Sequence, residues 1–203
     1  MKNNRSTIYD GTADRITKTD ETYYGKPFFR KLYPIEKKED DTRDIERKIV
    51  EILMNNPHPN IVTFYDVNDR YLDMEQLNTP HSNPDFYDNI QVCKDETPII
   101  IEAMIEVKDF LQNLGIMYID WKYDNIAKGD DFKYKLFDFD SSGIVELPES
   151  DRRELVEEWK VTPPNYWSFI HAKKNNYKTP KQIDDWCFRY NMLKETNILC
   201  NYE

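Results

Sequence analysis

The sequence predicts an α+β fold, and three observations carry that prediction. Near the N-terminus, YYGKPFFRKLY (Tyr23–Tyr33) alternates as a pair of strands crossing a glycine turn, and Arg70–Leu77 has the pattern of a further strand. Two stretches carry helical spacing instead. Ile45, Ile49, Val50 and Leu53 mark one face of Arg43–Met54, and Ile100, Met104, Val107, Leu111 and Leu114 mark one face of the run between Thr97 and Gly115. Finally, Phe132–Phe137 is an apolar-aromatic strand running into Asp138, and a turn at Lys128-Gly129-Asp130-Asp131 folds it back beside Ile126.

Composition narrows the function classes. The chain has 203 residues, enough for one large domain or two small lobes, with enough apolar residues for a core. A net charge of −10 and a pI near 4.9 argue against nucleic acid as a partner, because a sequence-independent binder needs a basic face to displace counterions. Cys93, Cys187 and Cys200 are odd in number and widely spaced, which suggests neither a disulfide framework nor a zinc site and fits a reducing compartment. His58, His81 and His171 are equally scattered. MKNNRSTIYD lacks the apolar stretch of a signal peptide, and no run approaches membrane-spanning length, so the expectation is an intracellular protein without a membrane partner, cytoplasmic or nuclear.

The elements follow in order. Ile8–Lys18 precedes a polar stretch and the Tyr23–Tyr33 strands, and by itself this part of the chain reads as a β-hairpin with a central Gly. Asp40-Asp41-Thr42 offers capping residues for the helix Arg43–Met54. At about 100° per residue, Glu46 lies beside Ile49, Val50 and Leu53, whereas Glu51 falls nearly opposite that face. HPNIVTFYDV leads into a strand, and Asn78–Glu96 is a polar connector of no assignable structure. Thr97 then caps a helix with Pro98 in its first turn and Gly115 as its stop. Asp151–Lys160, DRRELVEEWK, reads as a short charged helix.

The chemistry gathers between Leu114 and Asp140. There Lys122, Asn125 and Asp138 follow Asp120 at offsets of two, five and eighteen, and the hairpin is expected to bring Asn125 and Asp138 together. Any one of them alone reads as a solvated loop residue; the set does not. YIDWKYDNI (Tyr118–Ile126) resembles the catalytic loop written HRDLKPEN or YRDLKPEN, and KLFDFD (Lys135–Asp140) resembles the strand ending in DFG. Both belong to the eukaryotic-type protein kinase superfamily.

The resemblance implies a two-lobed protein-kinase-like fold forming a single domain over 1–203. A small antiparallel β lobe with one helix would occupy about 1–77, and a reduced, mainly helical large lobe about 78–203, truncated because the family's last helices lack counterparts. It implies ATP-dependent transfer of the γ-phosphoryl group to Ser/Thr hydroxyls of a protein substrate. Asp120 would be the base and Lys122 the cation at the transferred group, a feature of Ser/Thr rather than tyrosine kinases. Asn125 and Asp138 would be ligands of Mg2+ or Mn2+. Laid on the nucleotide loop, Ile8, Gly11, Ile16 and Lys18 take the first apolar, second glycine, roof and trailing lysine positions, while Tyr9 and Asp14 replace the other two glycines. Lys31, fifteen positions after Ile16, would hold the α- and β-phosphates with Glu46 as its partner. Met74 would be the gatekeeper, and backbone groups of Glu75 and Leu77 would bind adenine.

Departures from the family pattern accompany these matches. Asp140 replaces the glycine of DFG, and Ile119 replaces the arginine that would receive a phosphate on the activation segment. Ser141 and Ser142 read as surface serines. VTPPNYW (Val161–Trp167) resembles GTPxYxAPE, with Ser168-Phe169-Ile170 where APE would be, and Ile183–Leu193 resembles the central helix of the large lobe, with Asp184 able to brace the catalytic-loop backbone. A protein partner, self-association or a compact rearrangement of the chain is expected to cover Trp186, Phe188 and Tyr190. The alternatives are a pseudokinase serving as a binding or allosteric module and, further off, a small-molecule phosphotransferase. Abundant Asn, Lys, Asp, Ile and Tyr suit an AT-rich genome such as that of a parasite or large virus, and a viral product would work in its host cell.

Overall fold

The computed structural model describes residues 16–33, 42–78, 90–146 and 158–193, so Gly11, the predicted nucleotide-loop glycine, lies outside the described residues. The fold is α+β. Strands β1 (Ile16–Tyr23), β2 (Lys26–Leu32), β3 (Phe64–Val67) and β4 (Tyr71–Glu75) form an antiparallel sheet in the order β1-β2-β4-β3. Tyr24 and Gly25 join β1 to β2 with φ of 52° and 77°, the left-handed conformations a two-residue hairpin needs to match strand twist. The polar residues Thr19–Thr22, expected as a spacer, are strand; backbone pairing with β2 decides their conformation, with an irregularity between Lys18 and Thr22.

Helix α1 (Arg43–Asn55) buries Glu46, Ile49, Val50 and Leu53 on one face. Thr42 occupies its N-cap position, but its side chain makes no capping bond; its carbonyl accepts from Ile45 and Glu46. Helix α2 (Ile90–Asn113) begins well before the expected cap at Thr97. Pro98 therefore sits inside the helix at an exposed position, where its missing N–H removes one intrahelical hydrogen bond. Gly115, with φ of 77°, releases the chain into β5 (Ile116–Met117).

A hairpin of β6 (Ile126–Lys128) and β7 (Tyr134–Leu136) follows, then β8 (Gly143–Val145), β9 (Trp159–Val161), α3 (Trp167–Lys174) and α4 (Pro180–Phe188), which ends in a π-helical turn over Arg189–Leu193. Strands β5, β8 and β9 make a second sheet in the order β5-β8-β9. The segment leading into β3 is stitched to the hairpin by Val62 N–H to the Leu136 carbonyl and Leu136 N–H to the Asn60 carbonyl, both at 2.9 Å. One apolar core runs from Phe29 to Leu193 through Val50, Met104, Tyr118 and Phe139. No helix among the described residues is long and apolar enough to cross a membrane.

Several local expectations change. Phe132 belongs to the turn, with φ of 62° and its ring in solvent, because the β6–β7 connection closes through Phe132 N–H to the Gly129 carbonyl. Residues 151–157 of the expected charged helix lie outside the described residues, while Trp159 and Lys160 are strand, with the Trp159 ring set over Gly143. Ser141 and Ser142 are buried rather than on the surface, Ser142 hydrogen-bonding the Tyr118 carbonyl. Of the three expected ways of covering Phe188, the chain's own packing does so, with the ring edge-on against the buried Trp121. Trp186 and Tyr190 remain partly exposed and stack on each other.

Candidate functional site

Period-two alternation places the first group of side chains. On β2, Phe29, Lys31 and Tyr33 share the face opposite Arg30, and antiparallel pairing sets Phe29 against Met74 and Lys31 against Leu72. Ile16 pairs with Lys31 across β1 in backbone register. The face of α1 that carries Ile49 and Val50 also carries Glu46, only 2% exposed, which accepts from Lys31 Nζ at 2.9 Å and from the Tyr33 hydroxyl at 3.0 Å. Glu51 stays exposed. Lys31 Nζ also donates to Asp138 at 3.1 Å and lies 3.6 Å from Asp140.

The Asp138-Phe139-Asp140 arrangement follows from one backbone angle. Asp138 takes φ of 62°, tolerable for Asp, and the turn sends the Phe139 ring into the core against Phe64 and Tyr118. Asp138 and Asp140, on either side, reach the same ammonium. Three carboxylates thus converge on Lys31, which explains why the two partners of the buried pair titrate differently. Burial alone would lower Lys31, but Asp138, Glu46 and Asp140 together hold it well above its ordinary value. Glu46 sees one cation and two other carboxylates; burial, only partly offset by Lys31, pushes it up to about 7.

The second group comes from the loop after β5. Tyr118, Ile119 and Trp121 are buried, leaving Asp120 and Lys122 outside the core. Ile119 has φ of 66° and is bridged by Asp120 N–H to the Tyr118 carbonyl at 2.8 Å, a strained γ-turn for a β-branched residue. Asp184 on α4, fully buried, holds this turn by accepting from Ile119 N–H at 3.0 Å and Trp121 Nε1–H at 2.8 Å, while Gln112 donates to its other oxygen. Asp120 in turn accepts from Lys122 Nζ at 2.7 Å and from Asn125 Nδ2 at 3.0 Å. Burial raises its pKa against the pull of Lys122 and Asn125, and the nearby Asp138 adds to the rise.

The predicted residues therefore form two adjoining groups instead of one spot. Lys31, Glu46 and Asp138 are in direct contact; Asp120, Lys122 and Asn125 form the neighbouring group. The Asn125 side chain turns to Asp120, and Asp138 turns to Lys31; the two are tied through Phe137 N–H to the Asn125 carbonyl at 3.0 Å. Met74 and Leu77 are buried nearby in the chain path from β4. Glu75 is committed more heavily than expected: its N–H bonds the Thr63 carbonyl, and its carboxylate takes both bonds from Lys135 Nζ, at 2.7 and 2.8 Å. This ion pair ties the end of β4 to the β6–β7 hairpin.

Sequence reasoning missed three contributors. Tyr33 was legible, being two residues beyond Lys31 on a strand. Asp140 stands in the sequence as a replaced glycine, but nothing in the sequence says it reaches Lys31. Tyr166 was invisible, since only the fold brings its hydroxyl to Ser141 and within the field of Asp140, Asp120 and Asp138. The neighbouring Ser141 hydroxyl pulls this phenol's pKa down, and burial with those carboxylates outweighs it, giving a net rise.

Chemically, the two groups offer a buried-stem ammonium for an anionic group, a carboxylate with a lysine for proton and charge handling, and oxygen donors suited to a hard divalent cation. Among the described residues no cluster of His, Cys, Asp and Glu forms a closed metal site by itself. The donor set suits a cation that arrives with other oxygen ligands, such as phosphates. No protein-family model matches this chain, and no curated protein matches it in sequence.

Proposed function

We propose that the chain is an ATP-dependent protein kinase of two-lobed, kinase-like fold, a single domain over 1–203, acting on Ser/Thr hydroxyls of a protein substrate. The observation that carries this reading is the meeting of Lys31, Glu46 and Asp138 from three separate elements beside the Asp120–Lys122–Asn125 loop. Lys31, held by Glu46, is the cation for the α- and β-phosphates. Asp120, its carboxylate fixed by Lys122 and Asn125, orients the acceptor hydroxyl and takes its proton. Lys122 faces the transferred group and offsets its charge. Met74, Leu77 and Ile16 are assigned to the adenine side of the cleft, with backbone groups of Glu75 and Leu77 as its hydrogen-bonding partners. Asp138 and Asn125 would hold Mg2+ or Mn2+, which would offset the charge of the phosphates there.

Transfer of labelled γ-phosphate from ATP to generic protein substrates and to the chain itself, beside Asp120→Asn, tests this. Label that depends on Asp120 supports the reading; equal label in the variant refutes the role of Asp120. A second reading, a pseudokinase acting as a binding or regulatory module, is favoured by one contact. Asp140 competes for the lysine that the phosphates need. Persistent absence of label with intact nucleotide binding selects it.

A further inference from the structure

Helix α3 carries an outer face that the Lys31 and Asp120 groups do not use. At about 100° per residue, Ile170, Lys174, Trp167 and His171 fall side by side, while Ser168, Phe169 and Ala172 fall opposite and are buried. Trp167 is 51% exposed and Ile170 37%. The indole is part of a continuous aromatic strip. Trp167 stacks on His171 at 4.1 Å between ring centroids and meets Tyr190 at 5.5 Å; Tyr190 stacks on Trp186 at 4.8 Å, and Trp186 meets Tyr177 at 6.0 Å. The strip thus crosses from α3 over the π-helical turn to the loop before α4. Its footing is held at both ends, by the reciprocal cap of Thr179 and Gln182 on α4 and by Asn191 Nδ2 donating to Ser168 Oγ at 3.4 Å. Preorganised aromatic surface loses little entropy on docking, and apolar patches rimmed by charge mark contacts with other proteins.

The rim selects the partner. The chain has 38 acidic against 28 basic residues, yet α3 contains no Asp or Glu, and Lys174 shares its outer face with Trp167 and His171. Arg189, exposed, lies three residues beyond Trp186 and next to Tyr190, and exposed Lys178 follows Tyr177. The carboxylates of α4 are engaged elsewhere: Asp184 is buried beneath Ile119, and Asp185 accepts from Lys108 and Gln112. Rings margined by cations, on a chain of net charge −10, single out this face for an acidic partner. Two-fold pairing of the face with itself would set Lys174 and Arg189 against their own copies. Nucleic acid, charged at every phosphate, would be repelled by the rest of the chain.

We propose that this strip is a docking site for an acidic, extended segment of a partner protein. An apolar side chain of the segment sits against Trp167 and Ile170, and its carboxylates are met by Lys174, Lys178 and Arg189. The site goes beyond phosphoryl transfer and works without nucleotide.

Selection of random linear peptides displayed on phage against the full chain, followed by fluorescence anisotropy of the selected peptides, tests this. The selected peptides are expected to carry Asp or Glu around an apolar residue. Trp167→Ala, and Lys174→Glu combined with Arg189→Glu, should each weaken them about tenfold or more, as should Gln in place of their acidic residues. Affinity should also fall as salt rises from about 0.1 M to about 1 M, which shortens the screening length from about 10 Å to about 3 Å. Thermal melting checks that the variants fold, and Trp167→Phe, which keeps a ring, should retain most of the binding. Asp120→Asn should bind the peptides as the native chain does, so a failure of the kinase reading leaves this result standing. Peptides without acidic bias, equal affinity for native chain and Trp167→Ala, or no selected peptide at all would each overturn the inference. A labelled single-stranded oligonucleotide that binds through Trp167 where no peptide does also overturns it. So does a dimer in sedimentation velocity that Trp167→Ala dissolves and the peptides do not, making the strip a contact between copies.

Discussion

Replacing Asp184 probes how the loop carrying Asp120 is held. The Asp184 carboxylate is fully buried and accepts from Ile119 N–H, Trp121 Nε1–H and Gln112 Nε2–H. Gln112 has a second partner in Asp185, but Asp184→Ala leaves the Ile119 and Trp121 donors buried without one. Each orphaned donor costs about 1–3 kcal/mol, so the loss should be about 2–6 kcal/mol, and Ile119 loses the bond that steadies its left-handed backbone. Urea unfolding followed by tryptophan fluorescence should show the midpoint falling by about 1 M or more at ordinary slopes of about 1–3 kcal/mol per M. Asp184→Asn keeps an oxygen for both donors and should lose under about 1.5 kcal/mol at neutral pH. The pH dependence gives a second check. Burial outweighs the three hydrogen bonds and holds the Asp184 pKa above its ordinary value. The stability this group contributes is therefore fullest below the unfolded-chain value and is lost as pH rises through the folded one. The native chain should gain on Asp184→Asn as pH falls from neutral toward 4. A loss below about 1 kcal/mol in Asp184→Ala, or equal losses in the two variants, would refute the argument that this carboxylate anchors the loop.

Other perturbations test neighbouring contacts. Glu46, raised to about 7 from the ordinary 4.5, should make the chain less stable as pH climbs between those values; Glu46→Gln should flatten that part of a pH series of melting temperatures, and an unchanged slope would assign it to other groups. Lys31→Met removes the one ammonium facing three carboxylates, with an expected cost of about 3–5 kcal/mol at pH 8 that shrinks on acidification, read by denaturant unfolding at both pH values. The same variant should lose nucleotide affinity at least about tenfold, measured by calorimetry. Gly143→Ala would drive a methyl into the Trp159 ring and to 2.8 Å from Pro163 Cδ, so a loss of about 1–3 kcal/mol is expected, and native stability would mean β9 yields easily.

Much of the fold was written in local periodicity. The apolar spacing of Arg43–Met54 called for a helix with Glu46 on its buried face, and the alternation around Gly25 called for a hairpin; both are local properties of backbone geometry. The same logic failed where partners at long range decide. Trp159 and Lys160, read as the end of a charged helix, are strand because β8 supplies an open edge, and Ser141 and Ser142 are buried because Phe139 draws their segment into the core. Composition suggests a solvated surface for a Ser pair; only packing can overrule it.

The candidate site divides in the same way. The sequence by itself determined which side chains were available: Asp120, Lys122, Asn125 and Asp138 at spacings set by a loop and a hairpin, with Lys31 on an alternating strand. Tertiary structure alone decided who meets whom. Hydrogen bonds and ion pairs act over about 3 Å, a distance that sequence separation does not encode, so the bonds from Lys31 to Glu46 and Asp138 and the reach of Asp140 to the same ammonium appear only once α1, β2 and the strand β7 pack on one core. Tyr166 at Ser141 and Asp184 beneath Ile119 arise in the same way, from side chains whose neighbours are chosen by the fold.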